Sequence, residues 1–447
     1  TNNTLIGGLA GDAITTGGGN VAVGYSSLTT ATTGANNTAL GLSSLYSNTT
    51  GSLNTANGYQ SLYANTTGAE NVAIGDRAMA TNTTGGNNTS IGSFALRFNT
   101  TASNNTAVGY SALTANTTGI HNVALGALAL DANTTSSYNI AIGYGALTGA
   151  HTGGYTVAVG TNAASANTSG TNGVFVGYHA GYLNTTGSSN VVVGTVALDA
   201  NTTGANNIAI GTSALGANTT ADNNTAVGTS ALSANTTGTS NTALGRAAGD
   251  SITTGGSNTV IGEGSGSSLV TATDSTFVGQ DSGSLVTGSK NTILGCYNGN
   301  QSGLDIRTAN NNIVVANGDG TPKAVYTGAY NKWAMSDSGI GRITGSYKFI
   351  TVADDATVTL VNAELGACLI HVYDTGTGDG GVYFATYKGQ PVLIASAGSY
   401  GFATADQDGN YCVYKSSNSH TLTFKNRTAG SRNVSILITG ARASSSI

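Results

Sequence analysis

One 17-residue period governs this chain from residue 3 to residue 299, and its clearest copy is Asn105 to Gly119, NTAVGYSALTANTTG. The glycine that closes the NTAVG-like run recurs at Gly7, Gly24, Gly41 and every seventeenth residue through Gly279. One more copy, at Gly295, comes a residue early. A unit this short cannot bury an apolar face alone. It must stack on its neighbours, so strict repetition at this period is the mark of a solenoid.

The residue four before this anchor glycine is Asn in 15 of 18 copies, the exceptions being Thr156, Gly173 and Ser275. The residue just before the anchor is Val, Ile or Leu in every copy but Asn57, and the one before that is mostly Ala. This alternation predicts a short strand, with Asn and Ala on one face and Thr or a β-branched aliphatic plus Val or Ile on the other. Four residues past the anchor stands a Leu, as at Leu28, Leu45, Leu62, Leu96, Leu113, Leu130, Leu147, Leu198, Leu215 and Leu232. Asn-Thr-Thr-Gly follows, a cluster suited to a turn because Asn and Gly tolerate positive φ. Each unit therefore reads as strand, tight bend, short strand and polar turn.

The expected fold is all-β: a parallel β-solenoid, or β-roll, over residues 1–299, with one coil per repeat. Stacking at about 4.8 Å makes 18 coils roughly 85 Å long. The Val/Ile and Leu positions are expected to fill a narrow aliphatic core. Asn71, Asn88, Asn105, Asn122, Asn139, Asn207, Asn224 and Asn241 are expected to form a structural ladder in which each amide bonds the next. The Ala rows, as a second small apolar face, suggest close approach to another chain and hence a homo-oligomer, most simply a trimer.

Composition narrows the function. With 66 Gly, 2 Pro and 8% charged residues, the chain departs from ordinary globular proteins, yet its period argues for order rather than low-complexity disorder. The net charge is −5, and up to residue 299 the only basic residues are Arg77, Arg97, Arg246 and Lys290, so nucleic acid is not an expected partner. No run of 18 apolar residues exists, so membrane insertion is not expected either. Cys296, Cys368 and Cys412 lack metal-site spacing and read as small buried apolar residues. Because Thr1 lies inside a repeat, the numbering is expected to start within a longer polypeptide.

From Gly245 the pattern degrades, with Gly249, Gly266, Gly283 and Gly299 where Leu stood. Residues 300–345 read as a neck, with a strand in Asn310 to Gly320 and the single tryptophan, Trp333, sealing the solenoid's end. Residues 346–447 read as a C-terminal β-sandwich or jelly roll: Tyr347 to Val352, Thr357 to Val361, Cys368 to Tyr373, Val382 to Tyr387, Val392 to Ala395, Tyr411 to Lys415, Thr421 to Lys425 and Val434 to Thr439 are eight strand-like runs.

Chemistry finds little support. Asp374-Thr-Gly376 matches the tripeptide of aspartic proteases but occurs once and continues into a glycine turn. Asp374 with Asp379, or Asp406 with Asp408, could offer oxygens to Ca²⁺ but fit no loop signature. His121, His151, His179, His371 and His420 are scattered, and the first three read as exposed loop residues. No catalytic residue, metal or cofactor is expected, and the chain is not read as an enzyme.

Asn71-Val-Ala-Ile-Gly75 and Asn105-Thr-Ala-Val-Gly109 resemble the head repeats of trimeric autotransporter adhesins, which stack into a parallel β-roll. The longer unit, with Ala112 to Gly119, is more similar to repeats of bacteriophage tail fibres, and Asn312 to Gly320 resembles the element ending such shafts. The resemblance covers residues 3 to about 345. It implies a homotrimeric extracellular fibre on a virion, fixed to a baseplate or tail protein, with a distal tip for a host cell-surface glycan or protein. The sequence lacks a heptad stalk and a C-terminal anchor barrel, which favours the fibre over a bacterial surface adhesin. Tyr387, Lys388, Tyr400, Asp406, Asp408, Asn410 and Tyr411 are the candidate receptor-binding residues, since tyrosine offers flat area with one polar handle. A third reading, an ice-binding β-solenoid, needs an outward row of Thr; the Thr row three before the anchor is expected to point inward or to be mixed with Val and Ile.

Overall fold

A computed structural model describes residues 2–327 in full and, beyond them, the main chain of ten strands between Lys332 and Arg442. All regular structure among the described residues is β. Contacts divide the chain into two compact units, Thr1–Thr287 and Gly288–Ile447.

The first unit is a parallel β-solenoid. Its 17 strands, from Thr4–Ile6 to Thr276–Val278, are three residues each and recur once per repeat. Every strand pairs in parallel with the next in unshifted register, as in Val191↔Ile208, Val192↔Ala209 and Val193↔Ile210. At the usual strand spacing these coils span about 77 Å.

The expected second short strand is absent. After the anchor the chain runs through successive turns, with left-handed residues such as Ser111 (φ 54), Leu113 (φ 55) and, ahead of the next Asn, His121 (φ 58). Its main-chain groups nevertheless bond from coil to coil: Ser111 N donates to Ser93 O in the coil before, and Leu113 N to Ala129 O in the coil after, at 3.0 and 2.9 Å. A non-glycine residue held in this region costs on the order of 1 kcal/mol, comparable to the net worth of the hydrogen bond it makes possible. The Asn-Thr-Thr-Gly turn does not use positive φ at all. Gly119 fits a tight space, since a Cβ added there would lie 2.2 Å from Ser136 O and 2.5 Å from Asn116 Oδ1, although coils with Ala102, Ser136 and Ala221 at this place adjust to hold a small side chain.

The strand's two faces are the reverse of the sequence expectation. The Ala row (Ala22, Ala39, Ala56, Ala73) is fully buried inside the coil with the Asn row, whereas Val or Ile beside the anchor faces outward, Ile74, Ile91 and Ile210 being 37–38% exposed. The core is thus Leu against Ala, not Leu against Val or Ile. A 17-residue coil encloses too little volume for a β-branched row in addition to Leu. Coils that break the rule show the same limit. Where Phe175 replaces Ala, the Leu site becomes Gly181, and a Cβ on Gly181 would sit 2.3 Å from the Phe175 ring; Phe277 and Gly283 repeat the exchange.

Two asparagine columns run through the core. In the first, the backbone N–H of each Asn donates to the preceding Asn Oδ1: Asn71 to Asn54, Asn88 to Asn71, Asn105 to Asn88, Asn122 to Asn105 and Asn139 to Asn122, at 2.9–3.1 Å. Asn207, Asn224 and Asn241 continue it at 2.9–3.0 Å. The second column is the Asn of Asn-Thr-Thr-Gly, read from sequence only as a turn residue. Asn82 Nδ2 donates to Asn65 Oδ1 at 2.7 Å and to Gly85 O at 2.9 Å. Within the runs Asn65 to Asn133 and Asn201 to Asn235 both amide protons are used in this way, and the oxygen waits for the next Asn. Where no Asn follows, as after Asn133 and Asn235, Oδ1 is buried without a partner.

In the second unit Thr292–Leu294 pairs in parallel with Ile313–Ala316, and the longer coil between them carries the small hairpin of Asn300–Gln301 and Leu304–Asp305. Tyr297 is buried there, and its hydroxyl donates to Leu304 O at 2.9 Å. Cys296 is half-buried rather than buried. Pro322–Thr327, Lys332–Asp337 and Ile340–Val352 then follow antiparallel. Each of the eight runs named above falls on a strand, apart from Tyr387, which lies outside the described residues; with Gly401–Ala403 they form an antiparallel set (Ile340–Val352, Arg432–Arg442, Leu365–Asp374, Gly380–Thr386, Val392–Ala397) and a four-stranded sheet. The side chain of Trp333 lies outside the described residues.

The exchange between the Leu and Ala sites is testable. Phe175→Ala should cost about 3–5 kcal/mol by leaving a cavity, and Gly181→Leu alone should fail by collision. The double variant F175A/G181L recreates the commoner coil and should recover most of the denaturant midpoint. Recovery no better than F175A alone would refute the shared-volume account.

Candidate interaction surfaces

Reversal of the strand puts two rows on the outside of the solenoid. The residue three before the anchor is Thr, Val or Ile in every coil, and the residue beside it is Val, Ile or Leu except at Asn57. Neither row contains a charge in any of the 18 copies. Leu125 and Leu244 are 44 and 48% exposed, and Val191, Val193, Ile208 and Ile210 form a continuous apolar stretch across neighbouring strands. Isolated apolar side chains on a surface mean little, but a contiguous strip running the length of a rod is the signature of an interface.

Titratable groups in the solenoid do not assemble into a reacting centre. Burial raises the carboxyls of Asp131, Asp199 and Asp250 above their ordinary range, with main-chain N–H groups opposing it. All three follow the Leu position, four and then three coils apart, so the carboxyls are separated by about 14 Å or more. Two carboxylates that share a glycosidic cleavage need a gap of about 5–9.5 Å. Among the described residues no group of three His, Cys, Asp or Glu side chains is placed to hold a metal ion. Among the same residues no helix is long and apolar enough to cross a membrane.

His151 departs from its expected exposure. It is fully buried, both ring nitrogens lack partners, and it stands where the second asparagine column stops at Asn133. The first column stops at the same level, since Thr156 and Gly173 replace Asn. Burial pushes the imidazole down to about 4, and the nearby Asn167 main chain only partly opposes this without reaching hydrogen-bonding geometry. His121 and His179 instead stack on surface tyrosines, Tyr138 and Tyr178, at 5.0 and 4.0 Å between ring centres.

Of the candidate receptor-binding residues, Tyr387, Lys388, Tyr400, Asp406 and Asp408 lie outside the described residues. Asn410 and Tyr411 begin the strand Asn410–Lys415, where Tyr411 pairs with Phe402 and Asn426 along the main chain. Sequence reasoning missed two features of the solenoid: the buried second Asn column and the outward apolar rows. The first was legible in the recurrence of Asn ahead of Thr-Thr and its replacement by apolar Ile14, Ala31 and Ile252, which a solvated turn does not demand. Alternation alone could not find the second, because it names two faces without saying which is inside; the coincidence of Phe175 and Phe277 with Gly181 and Gly283 was the signal that could have.

Comparison with known proteins adds nothing to this geometry: no family model, no curated protein and no solved structure matches the chain.

The neutral, depressed His151 makes one coil acid-sensitive. A histidine whose folded value lies below its unfolded value of about 6.5 contributes no penalty above that pH and progressively destabilises the fold from pH 6.5 down to about 4, by about 3 kcal/mol in all. Amide exchange, corrected for intrinsic rate, should therefore rise in residues 148–156 over that window while the coils around Asn99 stay protected. His151→Leu, using a side chain the column already accepts at Leu269, should flatten the dependence. Equal acid sensitivity in both proteins would show that His151 is not its source.

Proposed function

We propose that this chain is the shaft and distal part of a homotrimeric fibre on a virion, a bacteriophage tail fibre, held at one end by a tail or baseplate protein. The last hundred residues serve as the tip that meets a glycan or protein on the bacterial surface. The observation carrying this reading is the pair of outward rows, Thr/Val/Ile and Val/Ile/Leu, uncharged in every coil and interrupted only by Asn57 in the second row. A partner that covers such a strip must share its length and its one-coil period, and a second copy of the chain does so. Packing around a central axis then buries the strip of every subunit and leaves the turns free. The Ala rows, assigned to that contact from sequence, are inside the coil, so the outward rows take their place.

The work of such a fibre is mechanical. Coil-to-coil hydrogen bonding makes a stiff rod, and three copies of a weak terminal site raise avidity without new contacts. A β-sandwich tip fits the two strand sets of the second unit. A bacterial surface adhesin would use the same architecture from a different anchor, and detection of the chain in purified virions separates the two.

The ice-binding reading gains one observation, because the Thr row points outward: Thr225, Thr242, Thr259 and Thr276 are consecutive partners across adjacent strands. Over most of the solenoid that row is mixed with Val and Ile, and its neighbour row is aliphatic apart from Asn57. Thermal hysteresis in the purified protein would favour this reading.

Sedimentation of the native protein should give an elongated particle with the mass of three 44.1-kDa chains. Ile210→Lys, which places a charge in the middle of the strip, should shift that mass toward one chain while leaving the β-signal of the coil intact. A wild-type monomer, or a trimer indifferent to I210K, would overturn the assignment of this face.

A further inference from the structure

The segment that follows the anchor glycine carries a second surface, separate from the apolar strand rows. Outward-facing aromatic residues are concentrated there in one half of the solenoid: between Tyr182 and Phe277 the sequence has no aromatic residue, and Phe277 belongs to the core. The same positions in that plain half are taken by Thr212, Ser213, Thr229 and Ser230. The repeat supplies its own control, since identical coils form without the aromatic side chains. The fold therefore does not require them.

Their densest cluster spans four consecutive coils. Arg77 lies over the ring of Tyr59 at 5.2 Å and over Phe94 at 5.8 Å, and Arg97 lies over Phe94 at 5.2 Å and Phe98 at 4.9 Å. Tyr110 meets Phe94 edge to face at 6.0 Å. Tyr59, Phe98 and Tyr110 are 41, 45 and 55% exposed. Two of the four basic residues found before residue 299 are thus gathered on one aromatic surface. Arg77 has a long ion pair with Asp76, at 3.7 Å, whereas Arg97 makes its contacts with rings. Arg77 Nε also donates to Gln60 Oε1 at 3.4 Å, so the more open guanidinium is that of Arg97, whose N–H groups can fork onto a carboxylate while cation–π contact holds it beside Phe94 and Phe98.

We infer that Tyr59, Arg77, Phe94, Arg97, Phe98 and Tyr110 form a lateral binding site for an acidic polysaccharide, a glycan strand bearing carboxylate sugars. The apolar C–H face of a pyranose stacks on an exposed ring, and the rings recur along the rod at the coil spacing, over about 14 Å. Two arginines suit a polymer with sparse charge. A nucleic acid, with a charge on every residue, demands a basic groove that the surrounding coils do not provide. The site stands on these contacts alone and does not depend on trimer formation or on a receptor-binding tip.

The test uses the full chain immobilised and titrated with an oligogalacturonate, an oligosialic acid, a neutral cello-oligosaccharide and oligo-dT. At least one of the two acidic glycans should bind at least tenfold more tightly than both controls. R77Q/R97Q should lose that preference. F94S/Y110T, which installs residues used at these positions by Ser213 and Thr212, should weaken binding tenfold or more with an unchanged melting curve and native mass. Failure of both acidic glycans to bind overturns the inference, as does tighter binding of oligo-dT. Unimpaired binding in both variants does the same. A change of native mass in F94S/Y110T would also overturn it, by showing the cluster to be a contact between subunits.

Discussion

Main-chain hydrogen bonding from coil to coil is the interaction on which everything else in the solenoid depends. The strand covers only three residues of each repeat, yet donors beyond it, such as those of Leu113, Ala115 and Thr117, also reach the next coil. Such a chain can turn corners only by changing backbone region, and it does so at left-handed residues. The turn residues themselves vary freely among Ser, Leu, Asn, Phe and Tyr, because the backbone bonds and not the side chains hold the corner. What stays fixed is the register of the strands: the extra residues of the longer coil before Ile313 loop out as a hairpin, and Thr292–Leu294 still pairs with Ile313–Val315.

Fixed register makes the interior a question of volume. The usual coil holds one Leu and one Ala, one coil fits Val192 beside Leu198, and an aromatic ring at the Ala site is met by glycine at the Leu site, as Phe175 is met by Gly181. The asparagines solve the remaining problem, which is that the strand ends leave polar groups in a dry interior. An amide column is self-propagating: each oxygen is satisfied by the coil that follows. It is therefore vulnerable wherever a coil departs from type, and Asn133 and Asn235 mark such ends with unpartnered oxygens. His151 occupies one of them, in the middle of the rod, and both columns are interrupted at its level.

Much of this was legible in the sequence. Period, coil size, strand position and the partnering of Asn71, Asn88 and Asn105 follow from comparing copies of one unit, since each copy is an independent solution to the same packing problem. The orientation of the strand was not. Val and Ile look like core residues and Ala like a contact residue, and only the narrowness of the coil decides otherwise. Two clues pointed the right way: Ala shares its face with the near-invariant Asn, and the bulky replacements Phe175 and Phe277 coincide with Gly181 and Gly283. The second strand failed for a related reason, because alternating left-handed residues can mimic the apolar spacing of a strand without its extended backbone.

Turning the strand over changes the functional argument as well as the fold. With Val and Ile inside, the solenoid would present rows of Ala and Asn, and a partner would have only small side chains to cover. With them outside, it exposes a charge-free strip that a single chain leaves in water, and burial of that strip is worth roughly 25 cal/mol for each Å² covered. Association is thus favoured by the same rows that the coil is too narrow to enclose. The segment after the glycine corner is under no such demand, as the plain half around Ser213 and Ser230 shows. Packing within the coil therefore does not account for the aromatic and basic residues from Tyr59 to Tyr110, and recognition is the role left to them by the lateral site inferred above.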